Sequence, residues 1–271
     1  MRAPAHLWRA WPRVARRIRA ARRRALFTDL DGTLAPIRQD ARAVKLLPGV
    51  RRLLRRAARR GDVVGVISGR QVRELQRLVG VRGIWYAGTH GHFIEEPAGR
   101  RRQLLGPAQK RVVARMLGEL RSGLRGLRGI RIEPKDGSVS VHYRGAPAAG
   151  VARARRVVRG VLRAQPGAYL QPGKKVWELL AENRAAPRGL RRVDKGAALE
   201  FIRGREPALD LVCFLGDDAA DERAFEKNRA GLSILVGRRR RSAAKYYLRS
   251  PREVRRFLER WLECAEPPKR K

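Results

Sequence analysis

"FTDLDGTLAPI", residues 27–37, joins a short apolar run to two carboxylates and a glycine. Asp29 and Asp31 stand two residues apart at what reads as the end of a buried strand, "ALFTDL" (25–30). Like charges set together beside apolar sequence are costly unless a cation joins them. Working outward, "PGVRRLLRRAARRG" (48–61) carries Val50, Leu53, Leu54 and Ala57 at helical spacing, with Gly61 as its stop. "DVVGVISGR" (62–70) reads as a second strand, "QVRELQRLVG" (71–80) as a second helix and "GIWYAG" (83–88) as a third strand. This βαβαβ order predicts a parallel sheet with helices on both faces, an α/β fold of Rossmann-like type.

The pattern changes after about residue 104. "PAQKRVVARMLGELRSGL" (107–124) is helical in spacing, and "IRIEPKDGSVSVHYRG" (130–145) reads as two strands turning at Asp136-Gly137. A further helix, "AAGVARARRVVRGVLRAQ" (148–165), precedes "AYLQPGKKVWELLAE" (168–182), two strands expected to turn at Pro172-Gly173. Residues 104–186 are therefore expected to form an inserted αββαββ module. "KGAALEFIRG" (195–204), "LDLVCFLGDD" (209–218), "ADERAFEKNR" (220–229) and "GLSILVG" (231–237) resume the first alternation, and an amphipathic helix closes it at about 251–264. The core is expected to comprise 25–103 and 187–265, with 266–271 as a tail.

The chain carries 64 Lys+Arg against 25 Asp+Glu, a formal net charge of +39. That field attracts anions, be they phosphate esters, nucleic acid or an acidic membrane surface. The alternative is a compositional bias toward arginine, with the charge carried on ordinary solvated faces. Residues 1–24 hold no acid; Leu7, Trp8, Trp11, Val14 and Ile18 make them partly amphipathic, and Pro12 interrupts the pattern. They are expected to be a disordered basic extension, with contact to lipid or nucleic acid as the alternative. Two cysteines, Cys213 and Cys264, exclude a disulfide framework or a cysteine-rich zinc site. With no transmembrane run and no secretory apolar segment, a cytoplasmic setting is expected.

In an open parallel sheet, reactive groups collect at the carboxyl ends of the strands. Asp29 and Asp31 end the first expected strand, Ser68 the second, and Asp217, Asp218 and Asp221 lie in "LGDDAADE" (215–222), where the strand 209–218 runs out; Lys195 opens a helix after the insertion. A hard cation such as Mg2+ takes a few carboxylates together with phosphate oxygens and water. Asp29, Asp217 and the carbonyl of Asp31 can supply such a shell. Asp29 can then attack phosphorus and carry the phosphoryl group. Asp31 can protonate the departing oxygen and later deprotonate a water. Ser68 and Lys195 can stabilise charge on the phosphoryl oxygens. His90 and His142 lack helical i, i+4 pairing and read as hydrogen-bonding histidines.

"DLDGT", "VISGR", "DKG" and "GDDAADE" resemble, in order, the four motifs of haloacid dehalogenase superfamily phosphatases. "YAGTHG" (86–91), "SVSVHYR" (138–144) and "GKKVWEL" (173–179) are similar to segments of the trehalose-6-phosphate phosphatase family within it. The resemblance covers roughly residues 25–265. It implies a phosphatase core with a mobile cap, Mg2+ as cofactor and a sugar phosphate as substrate, trehalose 6-phosphate first and another sugar phosphate as the alternative. Carried over by position, it implies Asp29 as nucleophile, Asp31 as acid/base, and Ser68 and Lys195 as phosphate contacts. Asp217 becomes the last metal ligand, supported by Asp218 and Asp221. It also implies substrate contacts at Gly69, Arg70, His90 and Gly91, and in the cap at Glu133, Arg144, Lys175 and Glu178. A nucleic-acid or anionic-membrane binding protein on the same scaffold is the remaining alternative.

Overall fold

The structure, a computed structural model, describes residues 3–38, 40, 43–135, 137–173, 175–182, 191–206, 208–237 and 241–264. Two compact units divide the chain: one runs to Arg102 and resumes at Asp194, and the other is Gln103–Val193. The expected junction at 186/187 and the expected tail at 266–271 lie outside the described residues. Among those described, no helix is long and apolar enough to cross a membrane.

The first unit is built on a nine-stranded sheet. In chain order its strands are β1 (Ala5–His6), β2 (Arg24–Thr28), β3 (Val63–Ile67), β4 (Trp85–Gly88), β5 (Phe93–Glu95), β6 (Arg101–Gln103), β11 (Leu211–Gly216), β12 (Leu232–Val236) and β13 (Tyr246–Leu248). They lie in the order β1-β13-β12-β11-β2-β3-β4-β5-β6. Every neighbouring pair from β1 through to β4 is parallel, and β5 turns back antiparallel on β4. Strands β2, β11 and β12 are buried along their whole length. This is why they read as unbroken apolar runs, since a parallel strand covered on both faces has no solvent side.

One face is covered by α1 (Trp11–Ala20), α2 (Val50–Arg59), α3 (Val72–Val79) and α8 (Pro251–Glu263), whose apolar residues join those of the strands in one cluster. Helices α6 (Lys195–Arg203) and α7 (Glu222–Lys227) pack on each other, and Phe214 of β11 meets Phe225 of α7 edge-on, 5.7 Å between ring centres. A buried ion pair ties the layers together. Asp62 accepts from Nε and Nη2 of Arg24 at 2.9 and 2.6 Å and from Nε1 of Trp261 at 2.9 Å.

The basic extension expected to be disordered is folded from residue 3 onward. Strand β1 pairs in parallel with β13, and α1 buries Val14, Ala15 and Ile18. Pro12, read as an interruption, sits in the first turn of α1, where its missing N–H is no loss and its fixed φ favours the helix. The partners that stabilise the segment come from the far end of the chain. Trp11 lies edge-on to Phe257, and Arg256 stacks over Trp8 at 4.9 Å.

The second unit has the expected αββαββ order: α4 (Pro107–Gly123), β7 (Arg131–Lys135), β8 (Ser138–His142), α5 (Ala148–Ala164), β9 (Ala168–Gly173) and β10 (Val176–Ala181). Its sheet, β7-β8-β10-β9, is antiparallel throughout. Val139, Val141, Trp177 and Leu179 point to one face and pack with Val113, Met116, Leu120, Ala154 and Val158 of the helices. The β9–β10 turn falls two residues later than expected. Pro172 pairs with Trp177 and Gly173 with Val176, so both expected turn residues lie within the ladder, and Lys175 beyond them has a left-handed φ of +64°. Pro172 can stay within β9 because β9 is an edge strand, free of the need to donate on both sides. Asp136 of the other expected turn lies outside the described residues.

Candidate active site

Strands β11, β2 and β3 are adjacent, so their carboxyl ends bring "GDD", "DLDG" and "SGR" side by side. Asp29 follows β2 directly, and its N–H donates to the carbonyl of Leu215 on β11 at 2.8 Å. Ser68 follows β3, and its N–H donates to the carbonyl of Ala87 on β4 at 2.9 Å. The ladder that builds the sheet therefore runs on into the residues expected to do chemistry.

Asp29, Ser68, Lys195, Asp217 and Asp221 are all buried. Lys195 opens α6, whose N-cap is Asp194, its carboxylate accepting from the N–H of Ala197 at 2.9 Å. The ammonium of Lys195 reaches Oδ1 of Asp29 at 2.9 Å and Oδ1 of Asp221 at 2.7 Å. Oδ2 of Asp221 accepts from the N–H groups of Asp217 and Asp218, both at 2.9 Å. Asp221 is thus the keystone that fixes both the lysine and the loop carrying Asp217. Asp218 caps the following turn, accepting from Ala219 N at 2.6 Å.

Electrostatics at Asp29 leave positive charge in short supply. Burial raises its carboxyl well above the ordinary range; Lys195 opposes that rise, and Asp221, Asp217 and Asp31 add to it. Burial disfavours the charge on Lys195, yet Asp221 and Asp29 outweigh it and hold the ammonium above its usual pKa. Among the described residues, Asp29, Asp217 and Asp221 offer oxygens all within 4.8 Å of one another. A donor set of buried carboxylate oxygens carrying more negative than positive charge fits a hard divalent cation. Asp29, Asp217 and Asp221 are the side chains that could hold such an ion, Asp221 also engaging Lys195 and two main-chain N–H groups.

The remaining expected residues divide. Asp31 stands apart from the acidic group; its carboxylate is held by Arg70, Nε to Oδ2 at 2.6 Å and Nη2 to Oδ1 at 2.8 Å. The third nitrogen of Arg70, Nη1, engages Glu74 of α3. The guanidinium expected from the sequence to meet substrate is thus engaged by two carboxylates. Nothing in the local sequence announces that pairing, which depends on β2 and β3 being neighbours. Thr89 and His90 both take left-handed backbone, with φ of +48° and +57°, and the N–H of His90 donates to the carbonyl of Ser68 at 2.9 Å. The His90 ring comes close to Gly69, where a Cβ would come 2.7 Å from Nε2, while a Cβ on Gly91 would strike Ala198 of α6. "THG" is therefore wedged between the end of β3 and the start of α6.

In the second unit, the face of the sheet turned away from its helices is polar. Glu178 is buried in mid-strand and not beside a turn. It accepts from the hydroxyls of Ser138 and Ser140 and pairs with Lys135 at 3.2 Å. Glu133 accepts from Nε2 of His142 at 2.7 Å, and that hydrogen bond, against the effect of burial, lowers its carboxyl pKa. Arg144 and Lys175 are exposed at one end of the sheet, where Tyr143 N donates to the carbonyl of Lys175. Lys135, Ser138 and Ser140 were not singled out from the sequence. The alternation in "SVSVH" was the signal, since it sets Ser138, Ser140 and His142 on one face.

Comparison with known proteins bears on the family and the fold. A family model described as trehalose-phosphatase matches residues 27–252. A trehalose-phosphate phosphatase of Mycolicibacterium paratuberculosis is 35% identical over 261 residues, covering 91% of this chain and 64% of that protein, so the chain spans just under two thirds of its relative. Among solved structures, the C-terminal domain of C. albicans trehalose-6-phosphate phosphatase superposes with a TM-score of 0.80 at 21% identity, covering 97% of this chain and 98% of that one. A trehalose-6-phosphate phosphatase related protein gives 0.72 at 26% identity, covering 88% and 98%. From its motifs, its two-unit α/β architecture and the match over most of its length, the chain belongs to the trehalose-phosphatase family of haloacid dehalogenase-type proteins.

Proposed function

We propose that the chain is a Mg2+-dependent phosphatase that hydrolyses trehalose 6-phosphate to trehalose and inorganic phosphate by way of a phosphoryl group carried on Asp29. The observation that supports it best is the buried Asp29–Lys195–Asp221 array beside Asp217, at the end of a central strand. An attacking carboxylate flanked by an ammonium and a cation-ready pair of oxygens suits phosphoryl transfer, in which charge develops on the phosphoryl oxygens.

In this reading Asp29 attacks phosphorus, the bond from phosphorus to the sugar oxygen breaks, and Asp31 gives its proton to that oxygen. A water then loses a proton to Asp31, attacks the phosphorus of the acyl phosphate, and frees Asp29 with inorganic phosphate. Lys195, held by Asp221, offsets charge on the phosphoryl oxygens, and Ser68 donates to one of them. Mg2+, held by Asp29, Asp217 and the carbonyl of Asp31, would supply further positive charge against the same oxygens. Gly69, His90 and Gly91 are substrate-side residues in this scheme. Glu133, Arg144, Lys175 and Glu178 of the second unit supply the donors and acceptors that sugar hydroxyls and phosphate require.

Phosphate release from trehalose 6-phosphate, set beside a panel of other phosphosugars and repeated after chelation, tests the proposal. Preferred turnover of trehalose 6-phosphate that vanishes with chelator and returns with Mg2+ is expected. A preference for another phosphosugar would remove the trehalose assignment, and indifference to chelator would remove the metal.

A further inference from the structure

Arg70 is held at three levels. Its carbonyl accepts from the N–H of Thr89 at 2.8 Å, and its own N–H faces Ser68 Oγ at 3.4 Å. Its guanidinium grips both oxygens of Asp31 at 2.6 and 2.8 Å while Nη1 is anchored on Glu74. The Arg70 side chain is 10% exposed and that of Asp31 34%, so the arginine is the fixed partner and the aspartate the one that reaches toward solvent. A planar fork meeting a carboxylate edge-on sets the direction of both oxygens, which a point charge would not.

From this geometry we infer that Arg70 is a positioning residue for proton transfer: it aims the Asp31 carboxyl and does not serve as a substrate contact. The inference rests on the reading of Asp31 as the acid that protonates the departing sugar oxygen. Asp31 sits on the loop after β2, outside the array that fixes Asp29, and the Arg70–Glu74 pair links its side chain to β3 and α3. Aim matters for a group that must deliver a proton to one oxygen, because misplacement by about 1 Å can cost about 100-fold in rate.

The two roles separate by leaving group and by phosphate affinity. A sugar alkoxide needs the proton; an aryl phosphate, whose phenolate leaves readily, needs it much less. kcat/KM, which reports the chemistry up to transfer onto Asp29, would be measured for trehalose 6-phosphate and p-nitrophenyl phosphate with wild type, R70Q, R70K, E74Q, D31N and the R70Q/D31N double variant. Inhibition by inorganic phosphate would be measured alongside. D31N is expected to lose about 100-fold or more on the sugar phosphate and far less on the aryl phosphate. R70Q should follow the same pattern at about 10- to 100-fold, with phosphate inhibition unchanged and no further loss in the double variant. R70K should recover little, and E74Q should show a weaker form of the same selectivity.

Equal losses on both substrates with weakened phosphate inhibition, additive to D31N, would make Arg70 a substrate contact and overturn the inference. So would an R70Q enzyme with wild-type rates. If aryl phosphate turnover is too slow to follow, phosphate inhibition and the double variant still decide between the two roles. Should D31N itself lack leaving-group selectivity, the acid assignment fails independently of Arg70. Unchanged phosphate inhibition in R70Q and R70K guards against a variant that merely unfolds.

Discussion

At Gly32 the chain turns from Asp31 back toward Ala35 with φ at +81°, and a Cβ there would lie 2.1 Å from Oδ2 of Asp217. Two demands meet at this position: a backbone region that L side chains avoid, and the close approach of a proposed metal ligand from a different strand. Gly32→Ala should therefore lower kcat/KM by about 100-fold or more, by displacing Asp217, and raise the Mg2+ concentration needed for half-maximal activity in a titration. A variant with unchanged Mg2+ response would mean that Asp217 does not hold the ion. The same logic explains which site residues were legible. Asp29, Asp31, Ser68, Lys195 and Asp217 each follow a strand or open a helix, so local pattern plus the sheet rule located them. Arg70 on Asp31 and Asp221 on Lys195 are contacts across 39 and 26 residues, and only the assembled sheet creates them.

Among the elements, α1 shows how a correct local pattern can mislead. The spacing of Leu7, Trp11, Val14 and Ile18 was visible, but the cluster that buries it includes β12, β13 and α8, more than 200 residues on, and Pro12 starts the helix it was thought to break. Without that partner a basic, acid-free segment has the composition of a tail. Ile18 is fully buried, so Ile18→Ala should destabilise the protein by about 2–5 kcal/mol in urea unfolding. A change near zero would mean that α1 is not part of the folded unit. Strands β5, β6 and β13 were missed because each is a short strand in sequence dominated by charge or turns. In the other unit, β8 and β10 form a polar face centred on Glu178, whose two oxygens each take a serine hydroxyl. Glu178→Gln should cut kcat/KM for trehalose 6-phosphate by about 10-fold or more while sparing p-nitrophenyl phosphate. Equal losses on both would argue against sugar reading by this face.

For the whole molecule, the two-unit plan and the order of its elements could be read from periodicity, because parallel strands, helices and hairpins leave different repeats. The units divide at 102/103 and 193/194, where 103/104 and 186/187 were expected. The net charge of +39 acts at this scale. A field of that sign gathers phosphate dianions, and it is screened as the Debye length falls from about 30 Å at 0.01 M salt to about 3 Å at 1 M. KM for the phosphorylated sugar should rise across that range while kcat holds. A flat KM would assign the arginines to solvated faces with no part in capture. The account as a whole depends on a covalent step at Asp29, and intact-mass measurement of rapidly quenched turnover tests it most directly. The chain should gain one phosphoryl group, localised to the peptide bearing Asp29 and absent from Asp29→Asn. An active enzyme that never carries phosphate on that peptide at any quench time would contradict it.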